Sequence, residues 1–159
     1  MRKWYIVFFV CIGFIASCGM KKEEKSSEKT EEVFQYKNIT YMEGKQYYVN
    51  NTYSNKQVES IKLETKEDFE EIFSPAAVMG EGGLPTPIDF DKSFVLAVIG
   101  TEVNQSTLFE VISLKDRGEF LELIYSYKVE GEKLSYSLHP FFFVIVDKKY
   151  SKDVRFLKE

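Results

Sequence analysis

Thiol and imidazole chemistry have almost no raw material in this chain. Its 159 residues include two cysteines, one histidine and one tryptophan. Both cysteines, Cys11 and Cys18, fall at the start, so everything after Cys18 lacks a thiol. Disulfide stapling and thiol catalysis are thereby excluded from the body of the chain, which must be held by an ordinary core. One histidine and scattered carboxylates give no zinc ligand spacing. Basic side chains are outnumbered 21 to 25, for a net charge of −4, and they form no basic stripe, which argues against nucleic acid as a partner. No apolar run reaches the ~20 residues that a bilayer-spanning helix needs.

What is present at the N-terminus has three zones. Arg2 and Lys3 carry positive charge, Trp4 to Ile15 runs without a charge, and Ala16-Ser17-Cys18 follows directly. Basic region, short apolar region and small residues are the order of a secretory signal peptide. With a cysteine immediately after the small residues, Ile15-Ala16-Ser17-Cys18 resembles the lipobox of bacterial lipoproteins. That resemblance implies removal of residues 1–17 and attachment of a diacylglyceryl group to the Cys18 sulfur, since the thiolate is the nucleophile that such a thioether requires. Two acyl chains, at ~0.8 kcal/mol per buried methylene, anchor stably where one would not. The membrane is then a partner through Cys18, and the expected location is the cell envelope.

Residues 18–35 read as a tether. Gly19 to Phe34 is rich in Lys, Glu and Ser and nearly free of apolar side chains, too little to offset the entropy of ordering. Gly19 stands where an Asp would signal inner-membrane retention in many Gram-negative bacteria, which favours an outer membrane where the cell has one. Lys22-Glu23-Glu24 is similar to the short acidic export tag of some surface lipoproteins, so surface exposure is a further expectation; an ordinary solvated linker has the same composition. Removal of Arg2 and Lys3 with the signal leaves 19 basic against 25 acidic side chains, a net charge of −6.

Residues 36–159 suffice for one β-rich domain with a real core. Most apolar runs alternate with period two. The segments 36–42 and 45–51 flank Glu43-Gly44 and read as a first hairpin. Val58 to Thr65 is the next strand, with Ile61 and Leu63 on one face. The period then changes: Phe69, Ile72 and Phe73 make one stripe on a short helix over Lys66 to Phe73, opened by a Thr65-x-x-Asp68 cap. Ser74-Pro75 reads as the start of another turn through Met79. Gly80 to Phe90 is a Gly/Pro loop. Ser93 to Gly100 is continuously apolar and should be covered on both faces. The two strands that follow are joined by a turn at Asp116-Arg117-Gly118. The second connects at Glu130-Gly131 to a segment in which Pro140 should mark an edge, a bulge or a change of sheet. The predicted class is mainly β, an antiparallel two-layer sandwich-like domain with one short helix. An α+β roll, with the helix on a single sheet, is the alternative.

No catalytic constellation emerges, and no cofactor or metal is expected. His139 stands beside Pro140 without a nucleophile elbow, and reads more simply as a half-buried strand residue. Asp89-Phe90-Asp91 lacks the remainder of a calcium loop. Gly80-Glu81-Gly82-Gly83 leads into Leu84-Pro85 instead of a helix with Lys and Ser or Thr, unlike a phosphate cradle. The feature that favours recognition is a group of tyrosines, Tyr36, Tyr41, Tyr47, Tyr48 and Tyr53, in the first hairpin. Tyrosine suits a surface that is apolar yet hydrogen-bonding, although cross-strand packing uses it too.

From Ile61 onward the chain resembles the PrcB-type C-terminal domain, a family named after a lipoprotein that stabilises a surface protease complex. The resemblance rests on KEDFEEIF (66–73), the Gly/Pro loop, IDFDKSFVLAVIG (88–100), TLFEVISL (107–114), SLHPFFFVIVDKK (137–149) and the closing VRF (154–156). At Asn104 to Thr107 the chain departs from a Gly-Gly-Tyr-like turn that many members carry. The resemblance implies a non-enzymatic binding module with a protein partner in the envelope, a protease among the candidates. Two other functions stand beside it: a small-ligand or glycan carrier using the tyrosine-rich hairpin and the Gly80 to Pro87 loop as its mouth, and a hydrolase using His139 or a carboxylate pair.

Overall fold

The structure, a computed structural model, describes residues 36–159 apart from 77 and 81. The expectations for residues 1–35, namely the signal segment, lipidated Cys18 and the tether, lie outside the described residues. In chain order the elements are β1 (Lys37–Asn38), β2 (Met42–Glu43), β3 (Tyr47–Val49), β4 (Glu59–Leu63), α1 (Lys66–Ile72) and β5 (Phe73–Pro75). They continue with β6 (Ser93–Ile99), β7 (Val103–Asp116), β8 (Phe120–Leu138), β9 (Phe141–Asp147), a 3₁₀ turn (Lys148–Tyr150) and β10 (Asp153–Lys158).

Two four-stranded sheets carry the fold, ordered β1-β7-β8-β10 and β2-β9-β6-β4. Their facing sides meet in one core, where Phe94, Leu96 and Val98 of β6 and Val144 and Val146 of β9 pack with Leu114, Leu121, Leu123 and Tyr125 of β7 and β8. The domain is thus mainly β and sandwich-like, with one short helix. Pairing is antiparallel throughout except where β10 runs parallel to β8, with Val154 opposite Leu121 and Phe156 opposite Leu123.

The alternate residues of β6 explain its unbroken apolar run. Val95, Ala97 and Ile99 point the other way, into a second core with Leu63, Phe69, Ile72, Phe73, Phe143 and Ile145. That core is roofed by α1 and by a small third sheet of β3 and β5. Because successive strand side chains alternate faces, a strand covered on both sides must be apolar at each covered position, as β6 is from Phe94 to Ile99.

Helix α1 begins as its sequence indicates: Thr65 Oγ1 accepts from the Asp68 amide at 3.1 Å and donates to the Asp68 carboxylate at 2.7 Å. Its end is supplied from a distance. Asn50 Nδ2 donates to the carbonyls of Glu70 and Glu71 at 2.9 and 3.0 Å, and the Asn50 amide donates to Ile72 O. These carbonyls would otherwise be orphaned at the helix C-terminus. The expected second turn after Ser74-Pro75 does not form. Ser74 Oγ donates instead to Asn50 Oδ1 at 2.5 Å, and Phe73–Pro75 pairs with Tyr47–Val49 as β5.

The expected first hairpin is also corrected. Its segments do not pair with each other; β1 pairs β7, β2 pairs β9 and β3 pairs β5, so residues 37–49 visit all three sheets. Each of these strands is only two or three residues long, and each completes an edge that longer strands leave open. Glu130-Gly131 is likewise no connection: it lies inside the 19-residue β8. Between Gln105↔Lys133 and Thr107↔Val129, β8 advances four residues while β7 advances two, and Gly131 at φ 89° helps to absorb the excess. The Asp116 turn matches expectation, with Gly118 at φ 89° and its amide bonded to Asp116 Oδ1.

Pro140 marks a change of sheet. Strands β6 and β9 pair up to Ile99↔Phe141, then the chains cross a corner at Gly100 and His139-Pro140, where Gly100 N donates to Pro140 O at 2.7 Å. Beyond it, the continuing strands β7 and β8 pair in the other sheet from Val103↔Leu138 onward.

Lys152 ties the Asp116 turn to the approach of β10. Its Nζ lies 2.7 and 2.8 Å from the two Asp116 carboxylate oxygens and 2.8 Å from Gly118 O. The Lys152 bond, and then the Gly118 amide, hold the Asp116 carboxyl below its ordinary range. A carboxylate depressed on folding contributes stability that is complete above its unfolded value, near ~3.9, and is lost as pH falls through its folded value. Lys152→Met should therefore lower the urea midpoint at pH 6, and the deficit should shrink as the pH is taken down from about 4. A deficit that stays constant from neutral to strongly acid pH would rule out the ion pair as its source.

Candidate functional site

The corner where the chain changes sheets gathers the polar side chains with the most chemistry. A cleft of about 500 Å³ opens there, lined among others by Tyr48, Asn51, Tyr53, Glu102, Ser137 and His139. His139 is half-buried, at the break between β8 and β9 instead of within a strand, and its Nε2 lies 2.7 Å from Asn55 Oδ1. Asn55 is itself fixed, since its Nδ2 donates to the carbonyls of Gln57, Ile99 and Gly100 at 2.7, 3.2 and 3.1 Å. With the amide nitrogen spent on carbonyls, Oδ1 must accept, and His139 Nε2 is the donor.

Beside it, the Tyr53 hydroxyl donates to the Glu59 carboxylate, and the Tyr53 ring lies 6.0 Å from the His139 ring. Burial, reinforced by the Glu59 bond, pushes the Tyr53 hydroxyl well above its ordinary value. Tyr53 is therefore a fixed hydrogen-bond donor and a poor general base. Ser137 lines the same cleft, but no hydrogen bond joins it to His139 among the described residues. The arrangement orients an imidazole without giving it a nucleophile, which differs from the bonded nucleophile–base pair of a hydrolase.

The five tyrosines do not form one surface. Tyr36 is exposed, its ring stacked on the Arg117 guanidinium at 3.8 Å. Tyr41 packs against the inter-sheet core, and burial, then Glu43, raises its hydroxyl pKa. Tyr47 packs edge-on against Phe69 and Phe143, with ring centroids 5.3 Å away in each case, and its hydroxyl donates to Thr86 O at 2.9 Å. Only Tyr48 and Tyr53 meet, in the His139 cleft. The loop after Gly80 is pinned across Tyr47 by Thr86, whose amide donates to Lys45 O, and it closes over a cavity of about 190 Å³ beside α1. Hairpin and loop meet at two openings: Tyr47 and Pro85 both line this cavity, and Tyr41, Met42, Glu43 and Lys45 line a more open one with Thr86.

A second opening lies along the side of the sandwich. It is a groove of about 350 Å³ touching Phe109, Glu110 and Val111 of β7, Phe141 to Val144 of β9, and Glu43, Gly44, Gln46 and Tyr47. Among the described residues no group of three His, Cys, Asp or Glu is placed to hold a metal ion, and no helix is long and apolar enough to cross a membrane.

Asn55 and Glu59, which fix the two polar tips of the cleft, carry no signal in the sequence: Asn55 lies 84 positions from the histidine it orients. The β7 edge is equally silent, because strand patterning shows which face is buried and not which edge is left unpaired. No family model matches the chain, and neither a curated protein nor a solved structure gives a match.

Proposed function

We propose that this chain is a lipid-anchored, non-enzymatic binding module of the bacterial cell envelope, held to the membrane through Cys18 and engaging a protein partner. Its resemblance to the PrcB-type domain points to a protease complex as the class of partner, and Gly19 to an outer membrane where one exists. The observation that carries the protein-binding part is the outward face of the β1-β7-β8-β10 sheet. Leu108, Ile112 and Leu157 are exposed there at 54, 44 and 46 %. Leu157 stands opposite Ile124, which stands opposite Ser113 beside Ile112, so Leu157, Ile124 and Ile112 adjoin across three strands, with Leu108 further along β7 beyond Glu110. Contiguous apolar surface of this kind marks interaction sites on soluble domains. Each Å² covered by a partner is worth ~25 cal/mol.

A photo-crosslinking residue placed at Leu108 or Leu157 of the full chain in intact cells should give a discrete heavier adduct. The same residue at Glu67, on α1 across the sandwich, should not. Adducts of equal yield from all three sites, or none from any, would refute a partner on this face.

A further inference from the structure

We propose that the side groove is a strand-addition site, in which an extended segment of the partner, apolar at alternate positions and carrying a Lys or Arg, pairs with β7 along Thr107–Val111. This rests on the protein-binding reading above and says how part of the partner is held.

The first argument is geometric. Successive residues of a strand point to opposite faces, so a groove touching three consecutive residues of β7 and four of β9 is bounded by strand edges, not by a sheet face. On β9 the neighbouring β2 covers Val144 and Ile145, and the Gly44 amide reaches Phe143 O. On β7 the neighbouring β1 covers only Lys115 and Asp116, and the Ile39 amide reaches Leu114 O. From Val103 to Ser113 no described residue pairs with β7 on the side away from β8. A sheet edge is a row of N–H and C=O groups, and the group that satisfies such a row is another extended backbone.

The second argument is what the edge lacks. Natural edges are usually blunted by Lys, Pro or bulges. The register shifts of β7 fall between Val103 and Thr107 and between Val111 and Ser113, which leaves Thr107–Val111 as a regular run containing neither Lys nor Pro.

The third is charge. The ionisable acid–base side chains lining the groove, apart from Tyr47, are Glu43 and Glu110; Glu43 lies 4.0 Å from Lys45 Nζ, so Glu110 carries the charge argument. Phe109 and Phe142, both half-buried, are among the lining, with ring centroids 5.6 Å apart. Val or Ile facing those rings, with a basic side chain outward beside exposed Glu110, complements both features. At the start of the described residues, Lys37 of β1 stands opposite Asp116 and Tyr36 lies on Arg117, so this segment occupies the turn end of β7 and not Thr107–Val111.

The test uses the full chain with a capped peptide, Val-Thr-Val-Lys-Val-Thr-Val. Two relatives serve as controls, one with Glu for Lys and one N-methylated at alternate amides. Binding is followed by fluorescence anisotropy, and amide exchange of β7 by NMR. The Lys peptide should bind about tenfold tighter than the Glu peptide, a difference of ~1.4 kcal/mol. Glu110→Lys, at an exposed position, should reverse that order. N-methylation should weaken binding at least as much, and the Lys peptide should protect amides within Thr107–Val111. Affinity indifferent to N-methylation, or no saturable binding of the Lys peptide, would overturn the proposal. So would β7 amides already protected without peptide, the sign of the chain's own N-terminal segment or a second copy on the edge. If these results fail while crosslinks from Leu108 and Leu157 persist, the groove assignment falls and the protein-binding reading stands. Loss of the crosslinks with peptide binding intact would remove the apolar face and leave the groove.

Discussion

Cys18→Ala should abolish incorporation of labelled palmitate and release or mislocalise the protein, whereas Cys11→Ala should leave both unchanged. The two cysteines differ only in context. Cys11 lies inside the apolar run, and Cys18 follows Ala16-Ser17, whose small side chains let a peptidase approach the bond before it. If the thioether forms at Cys18, nothing else in the chain can replace it, because no thiol follows. The effect on labelling should be all-or-none, since no thiol follows Cys18 to take the diacylglyceryl group in its place. The variant should also keep residues 1–17 and migrate as a larger precursor. Labelling of Cys18→Ala at the wild-type level would end the lipoprotein reading and, with it, the envelope location.

The largest effect on stability should come from Phe143→Ala, at about 3–5 kcal/mol, a large part of the ~5–15 kcal/mol that holds a typical domain folded. Phe143 is 1 % exposed and lies between β9 and the roof of the second core. Its ring centroid is 5.3 Å from that of Tyr47, 5.2 Å from Phe69 and 5.3 Å from Phe73. Truncation would leave these rings around a void that a three-layer packing cannot close. The same ring dictates Gly44. A β-carbon there would lie 1.8 Å from Phe143 Cε2, while the Gly44 amide donates to Phe143 O at 3.0 Å, so the backbone has no room to retreat.

Gly44→Ala should consequently cost about 1–3 kcal/mol by overpacking. Its cost should fall when Phe143 is already leucine. Urea unfolding of the two singles and the double would reveal the coupling. Strict additivity would mean that the ring and the glycine are not in contact.

The sequence showed the residues that form long or strongly patterned elements, and the reason is that those signals are local. The six consecutive apolar positions of β6 (Phe94–Ile99), the Thr65–Asp68 cap and the Phe69/Ile72 stripe of α1 each depend on neighbours within a few residues. The turn at Gly118 is of the same kind. Pro140 announced an interruption because it lacks an amide for the ladder, but not which of three interruptions it would be. Residues 37–49 were misread as a hairpin because alternation within a segment is blind to its partner. Their pairing was decided by the edges that β7, β9 and β5 left open, as much as 103 positions away for Met42 and Ile145.

The cleft follows the same division. His139 was visible as the single imidazole, but its tautomer is set by Asn55 and its surroundings by a corner where two strands change sheets. The tyrosines were legible as a cluster in sequence and dispersed in space, since a segment threading three sheets shares no face.

By itself, then, the sequence determined the mainly β class, the doubly covered strand, the short capped helix and a body without thiols. Those properties come from residue chemistry and short-range periodicity. The tertiary structure alone decided how the strands are ordered, where the chain changes sheets, which carbonyls Asn50 caps and which edge of β7 stays unpaired. Each of these depends on hydrogen-bond valence satisfied between distant residues, and no local pattern encodes that.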